Sequence, residues 1–165
     1  MQHITDPVEP LLRLTLEVIE GLYARGYRRF LCGGATGFDT LAASAVLILK
    51  QQKPDAQLIL VLPCEGQDSS WKPHEQVLYR SIREQADRVL VLAEHYYTGC
   101  MMTRNRFLVD HAAFCVAYWK DTSTGGTIST IRLALRRNLP ILNLAVPGET
   151  RAFLKETASL YPLPF

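Results

Sequence analysis

Five short stretches of this chain are apolar at nearly every position, and each is separated from the next by enough residues for a helix. They are residues 29–32, 57–62, 88–92, 114–119 and 140–144; the second reads Gln-Leu-Ile-Leu-Val-Leu. A strand that alternates apolar and polar residues covers a core on one face only, whereas a strand apolar throughout needs cover on both. The intervening stretches carry helical spacing. It is clearest at 11–23, where Leu12, Leu16, Ile19 and Tyr23 recur three or four residues apart, with Leu11, Val18 and Leu22 on the same period. Further helices are expected at 40–52, 74–86, 103–112, 127–138 and 148–159. Short strands joined through helices of about ten or more residues make βαβ units. The expected fold is therefore α/β: a doubly wound parallel sheet of about five strands with helices on both faces.

Composition sets the remaining bounds. A chain of 165 residues, 48% hydrophobic and 21% charged, suits a single domain with one sizeable core. Eighteen basic against sixteen acidic residues leave a net charge of +2, too mild to announce a nucleic-acid or membrane partner. No apolar run approaches the ~18 residues of a membrane span. The start, Met1-Gln2-His3, has neither the basic nor the apolar region of a signal peptide. Cys32, Cys64, Cys100 and Cys115 are widely spaced without a CxxC pair, which fits a reduced, cytoplasmic protein with small buried thiols. No His/Cys spacing supports a metal site, and no nucleophile elbow is present.

In a sheet of this kind ligands bind beyond the carboxyl ends of the strands. Attention falls on the loops at 33–39, 63–73, 93–102 and 120–126. Gly33, Gly34 and Gly37 sit where a strand ends and a helix begins. They form either a tight turn with no ligand or a close backbone approach to phosphate, helped by the unpaired N–H groups of the helix that follows. Asp39 either caps that helix or bonds a ribose hydroxyl. Gly125, Gly126 and Thr127 make a second glycine turn at a second strand-to-helix junction, where Thr127 could cap the helix or bind an anion. Thr103-Arg104-Asn105-Arg106 opens the expected helix at 103–112, yet arginine is unfavourable at a helix N-terminus. That conflict points to a tertiary reason: Arg104 forks onto a phosphate or carboxylate, or makes a structural ion pair with Asp110 or Glu65. Trp71, Tyr96 and Tyr97 could stack a base or simply cover the end of the core. Glu65 and Gln67 could read a polar ligand or only close the turn at Gly66.

Four segments together resemble the YpsA-like family of the SLOG superfamily of Rossmann-like domains. They are LCGGATGFDTLAA from Leu31, LPCEGQ from Leu62 with Trp71, GCMMTRNRFLVDHA from Gly99, and GGTISTI from Gly125. Relatives in that superfamily include the Lonely Guy phosphoribohydrolases and the DNA-processing protein A family. The resemblance runs from about Asp6 to Leu144 and makes the whole chain, 1–165, one such domain. It implies a site for a nucleotide or nucleotide-derived ligand built from the Gly33–Asp39 loop, Arg104 with Asn105, and the Gly125–Thr127 turn, with Glu65 and Trp71 nearby. Two departures stand out. Family members normally begin with a strand ending in a Thr-Gly-x-Arg/Lys-Pro-like motif, and this sequence begins after it. Ser44 stands where the family commonly has Glu. An absent first strand leaves strand edges open and makes a homo-oligomer the expected repair. The Lonely Guy hydrolases use an arginine like Arg104 and a glutamate in the helix after the GGxGT motif, but here that helix begins Thr127-Ile128-Ser129-Thr130. The resemblance thus favours binding or sensing over hydrolysis, with no resident cofactor. The alternative is a nucleotide-processing N-glycosidase using Asp39 or Glu65 as acid. Single-stranded DNA binding fits the near-neutral charge poorly.

Overall fold

The computed structural model describes residues 7–120 and 125–160. Six helices alternate with five strands in the order α1 (Val8–Ala24), β1 (Arg29–Cys32), α2 (Phe38–Gln52), β2 (Gln57–Leu62), α3 (Pro73–Gln85), β3 (Arg88–Val91), α4 (Cys100–Asp110), β4 (Cys115–Ala117), α5 (Gly126–Arg136), β5 (Ile141–Asn143) and α6 (Pro147–Leu160). The alternation expected from the apolar pattern is present, and every strand pairing is parallel. Residues 121–124 of the expected loop at 120–126, and the Pro162 and Pro164 tail, lie outside the described residues.

One expectation fails. The strands do not form a single sheet of about five; they fall into a three-stranded ladder, β1-β2-β3, and a two-stranded ladder, β4-β5. β1 spends one edge on β2, in register Leu31 to Ile59, and β4 spends one edge on β5, in register Val116 to Leu142. Among the described residues nothing pairs β1 with β4. Between them lies a cavity of about 700 Å³, lined by Leu31 of β1, Val116 of β4, Ile19 of α1, Ala42 of α2, Phe107 of α4 and Thr130 of α5.

β2 shows why the larger ladder is covered on both faces. Its residues from Leu58 to Leu62 are all buried. Successive side chains in a strand point to opposite faces. Leu58, Leu60 and Leu62 join a cluster with Val46 and Leu49 of α2 and Tyr79 and Ile82 of α3. Ile59 and Val61 take the other face, and α4 packs on β2 as well. A second cluster joins Tyr118, Leu142 and Leu144 of the smaller ladder and its flanks to Leu11, Val18 and Leu22 of α1, Phe38 of α2 and Phe153 of α6. Helix α1 serves both clusters, since its Ile19 belongs to the first.

Helix starts differ from the sequence expectation for local reasons. Helix α1 begins at Val8, ahead of Pro10. Proline is tolerated in a first turn because the N–H it lacks has no intrahelical partner there. Helix α4 begins at Cys100 because Gly99, at φ 95°, turns the chain into it through the left-handed region. Arg104 therefore sits in the second turn of α4 and not at its opening.

Asp87, just before β3, clamps this half of the core. Its carboxylate accepts from Lys50 Nζ at 2.6 Å and from the backbone N–H of Leu58 at 2.7 Å. Burial alone would raise the Asp87 carboxyl; the Lys50 and Leu58 hydrogen bonds outweigh it and hold the group below its ordinary value. A carboxyl lowered by folding contributes stability above its unfolded value, and that contribution is lost as pH falls through the folded value. Asp87→Asn should cost ~1.5–3 kcal/mol at pH 7, the range for hydrogen bonds to a charged group. In urea unfolding at pH 7 and pH 3, the gap between the two proteins should shrink at the lower pH.

Candidate functional site

The turn after β1 is built around Gly33, Gly34 and Gly37. Gly34 and Gly37 have φ of 70° and 86°, which disfavour any residue with a Cβ. Gly33 is required for a different reason: a Cβ built on it would lie 2.6 Å from Arg104 Nη1 and 2.9 Å from an Asp39 carboxylate oxygen. The guanidinium and the carboxylate both lie against the glycine's open side.

Arg104 is only 6% exposed. Its Nη1 donates to the Gly33 carbonyl at 2.6 Å, its Nε to Asn105 Oδ1 at 2.8 Å, and its Nη2 makes a long contact to Met101 Sδ at 3.9 Å. Asn105 then reaches the second glycine turn, donating from Nδ2 to the Gly126 carbonyl at 3.5 Å. Gly33, Asp39, Arg104, Asn105 and Gly126 are thus brought together at the carboxyl ends of β1 and β4, where α2 and α5 begin. Neither expected ion-pair partner takes Arg104. Asp110 bonds Arg137 at 2.8 Å, and Glu65 bonds Arg83 at 2.9 Å.

Both capping expectations are corrected. The N-cap of α2 is Gly37 and that of α5 is Gly125, neither with a side-chain cap. Asp39 lies inside the first turn and reaches back, its carboxylate accepting from the Ala35 N–H at 3.2 Å. Thr127 lies inside the first turn of α5, half-buried. Gly125 adopts φ 112°.

Two expected members stand apart from this cluster. Glu65 is held by the Arg83 guanidinium, which keeps its carboxyl below the usual range. Trp71 packs edge-on against Tyr79 with ring centroids 5.1 Å apart and joins the core cluster. The loop at 63–73 touches the glycine turn through Gln67, whose Nε2 donates to the Gly34 carbonyl at 3.3 Å. Tyr96 and Tyr97 are exposed, and the Tyr97 hydroxyl bonds Thr103. Among the described residues no group of His, Cys, Asp and Glu could hold a metal ion. No helix among them is long and apolar enough to cross a membrane.

The sequence marks Cys32 and Cys115 as small buried thiols but gives no sign that they lie near Asp39. Burial pushes the Cys115 thiol up to about 11, with the Asp39 charge adding to it, and the same two causes raise Cys32 further. They stand one at the end of β1 and one at the start of β4. Burial also raises the Asp39 carboxyl, against the opposing pull of Arg104 and the Ala35 N–H.

Parallel strands alternating with helices, with two glycine turns bridged by a buried Arg-Asn pair, place the chain among Rossmann-like α/β proteins. The chain belongs to the YspA SLOG family, whose model matches residues 7–138. It is 29% identical over 137 residues to the uncharacterized SPbeta prophage-derived protein YoqJ of Bacillus subtilis, covering 75% of this chain and 80% of that one. It is 29% identical over 121 residues to a UPF0398 protein of Halalkalibacterium halodurans, covering 72% of this chain and 64% of that one. A UPF0398 protein of Brevibacillus brevis is 26% identical over 106 residues, with 63% and 56% covered. The chain thus spans a little under two thirds, or just over half, of the UPF0398 relatives it matches.

Two outcomes test this geometry. Gly33→Ala should destabilise the protein by ~1–3 kcal/mol, the cost of overpacking a filled site, since the new methyl displaces a buried guanidinium. Denaturant unfolding reads it. Asp39 works in the opposite sense to Asp87. A carboxyl raised by folding favours the folded state at low pH, and that favour is lost as pH rises through its folded value. Asp39→Asn removes the dependence, so its melting temperature relative to wild type should climb from pH 4 to pH 8.

Proposed function

We propose that the crevice at the Gly33 and Gly125 turns binds a nucleotide or nucleotide-derived ligand, and that the protein binds or senses this ligand without hydrolysing it. The observation that carries the reading is the bridge from Gly33 through Arg104 and Asn105 to Gly126. It holds two strand-to-helix turns side by side, so that the N–H groups and partial positive charge of two helix starts serve one anion. Arg104 adds a full charge that the dipoles lack; with Nη1 and Nε engaged by Gly33 and Asn105, Nη2, in long contact with Met101 Sδ, is the donor it turns to phosphate. Binding without hydrolysis is supported by the first turn of α5, which carries no acidic residue. Glycosidic-bond cleavage needs a carboxyl to assist the leaving group.

A second reading keeps an enzyme, with Asp39 as the acid. It is favoured by burial raising the Asp39 carboxyl, because an acid must hold its proton near neutral pH. Glu65 is withdrawn from that role, since Arg83 keeps it ionised.

Titration calorimetry with AMP and with a wider nucleotide panel tests the first reading. Arg104→Ala should weaken binding by ~1.5–3 kcal/mol, about ten- to a hundredfold in Kd. Arg104→Lys, which keeps the charge but loses the fork, should fall between. Thermal melts on both variants separate lost binding from lost folding. Equal affinities in all three folded proteins would leave Arg104 a purely structural bridge. Release of free base from AMP by wild type but not by Asp39→Asn would favour the enzyme.

A further inference from the structure

Two of the free thiols lie together. Cys64 follows Pro63 just past the end of β2, and Cys100 opens α4, the helix that packs on β2. Each is 1% exposed, and their side chains are hydrogen-bonded to each other. The pair is buried but shallow. Its chain neighbours Glu65, Gly99 and Met101 are all exposed, which puts both sulfurs within reach of a small oxidant.

The two sulfurs are not equivalent. Burial raises the Cys64 thiol, and the neighbouring Cys100 sulfur and the Glu65 charge add to it. Cys64 therefore keeps its proton and donates the hydrogen bond. Cys100 is the first residue of α4, at the positive end of the helix dipole, and is the sulfur that attacks.

We propose that Cys64 and Cys100 are a redox pair that closes to an intramolecular disulfide under hydrogen peroxide, bolting the first turn of α4 to the end of β2. The Cys100 sulfur attacks peroxide: an S–O bond forms, the O–O bond breaks, and the leaving hydroxide departs as water with the Cys100 proton. The Cys64 sulfur then attacks the sulfur of the resulting sulfenic acid. The S–S bond forms, the S–O bond breaks, and hydroxide leaves as water with the Cys64 proton. Two thiols and one peroxide give one disulfide and two waters, with two electrons passing from sulfur to oxygen. A thiol reductant reverses the closure by exchange and is itself oxidised to a disulfide.

Closure acts on the crevice at the glycine turns, and this part rests on the ligand reading above. The sulfurs must come from hydrogen-bond contact to a bond of about 2.05 Å. The turn that moves carries Met101, whose Sδ meets Arg104 Nη2. Arg104 itself lies four residues after Cys100, on the same face of α4. Its guanidinium is fixed to the Gly33 carbonyl at 2.6 Å, so a shift of its helix disturbs that bond and the donor beside it. Cys32 and Cys115 provide an internal comparison. Burial raises both thiols, Cys115 to about 11, so both stay protonated and unreactive at neutral pH.

The test treats the full chain with hydrogen peroxide at neutral pH, alkylates it, and maps its cysteines by mass spectrometry. The expected product is a Cys64–Cys100 cross-linked peptide that dithiothreitol opens, with Cys32 and Cys115 alkylated throughout. Cys115→Ser should form the same link, and Cys64→Ser and Cys100→Ser should not; thermal melts of the reduced variants check that each is folded. In wild type alone, a Cys32–Cys115 link, a link between two chains, or no link at all would overturn the proposal. Titration calorimetry with AMP then reads the coupling. The oxidised protein should bind at least ~fivefold more weakly than the reduced one, the low end of coupling between two sites. Equal affinities would overturn the regulatory part. Failure of AMP to bind either form would count against the ligand reading instead, while the disulfide is judged by the mass spectrum.

Discussion

A buried guanidinium ties the two halves of this molecule together at the edge where a ligand is proposed to sit. Arg104 comes from α4, which packs on the three-stranded ladder, and its Nη1 bonds the carbonyl at the end of that ladder's first strand. Its neighbour Asn105 bonds the carbonyl at the start of α5, the helix that follows β4. An arginine this buried is costly to place unless its donors are used. Fixing it demands a residue with no side chain at Gly33, and the same open side admits Asp39. Glycine, carboxylate, arginine and amide therefore form one arrangement in which each member restricts the others.

Elsewhere, among the described residues, the halves are joined by side chains and not by a continuous ladder. Helix α1 contributes Ile19 to one apolar cluster and Leu11, Val18 and Leu22 to the other. It carries the load that strand pairing carries in an unbroken sheet. Thr15, buried on the same helix, satisfies its hydroxyl internally by donating to the Leu11 carbonyl at 2.7 Å, so it adds no unpaired polar group between the clusters.

The alternation of strands and helices was legible in the sequence because continuous apolar runs such as 57–62 have few other interpretations. The limits of β1 and β2 follow from those runs directly. The break between β1 and β4 was not legible, since pairing between strands distant in sequence leaves no local trace in either. The same holds for the site. Gly33 and Gly126 are candidates from glycine placement, Arg104 from its conflict with the helix dipole, and Asn105 from the family resemblance. Gly99 removed that conflict by starting α4 earlier, and the true reason for Arg104 is its burial against Gly33. Glu65 and Trp71 shared the right edge of the sheet but found nearer partners in Arg83 and Tyr79, which only packing could reveal.

The chain has two tryptophans, and the division of the strands sets them on different halves. Trp71 lies against Tyr79 beside the three-stranded ladder. Trp119 follows β4, its backbone N–H donating to Asn143 Oδ1 at the end of β5. Each indole is thus a private optical signal for one half, separable by replacing the other with phenylalanine. Where halves are linked by packed helices and a few polar contacts, they can open as distinct cooperative units. The difference between the two emission curves across a denaturant series then measures how strongly one half feels the state of the other.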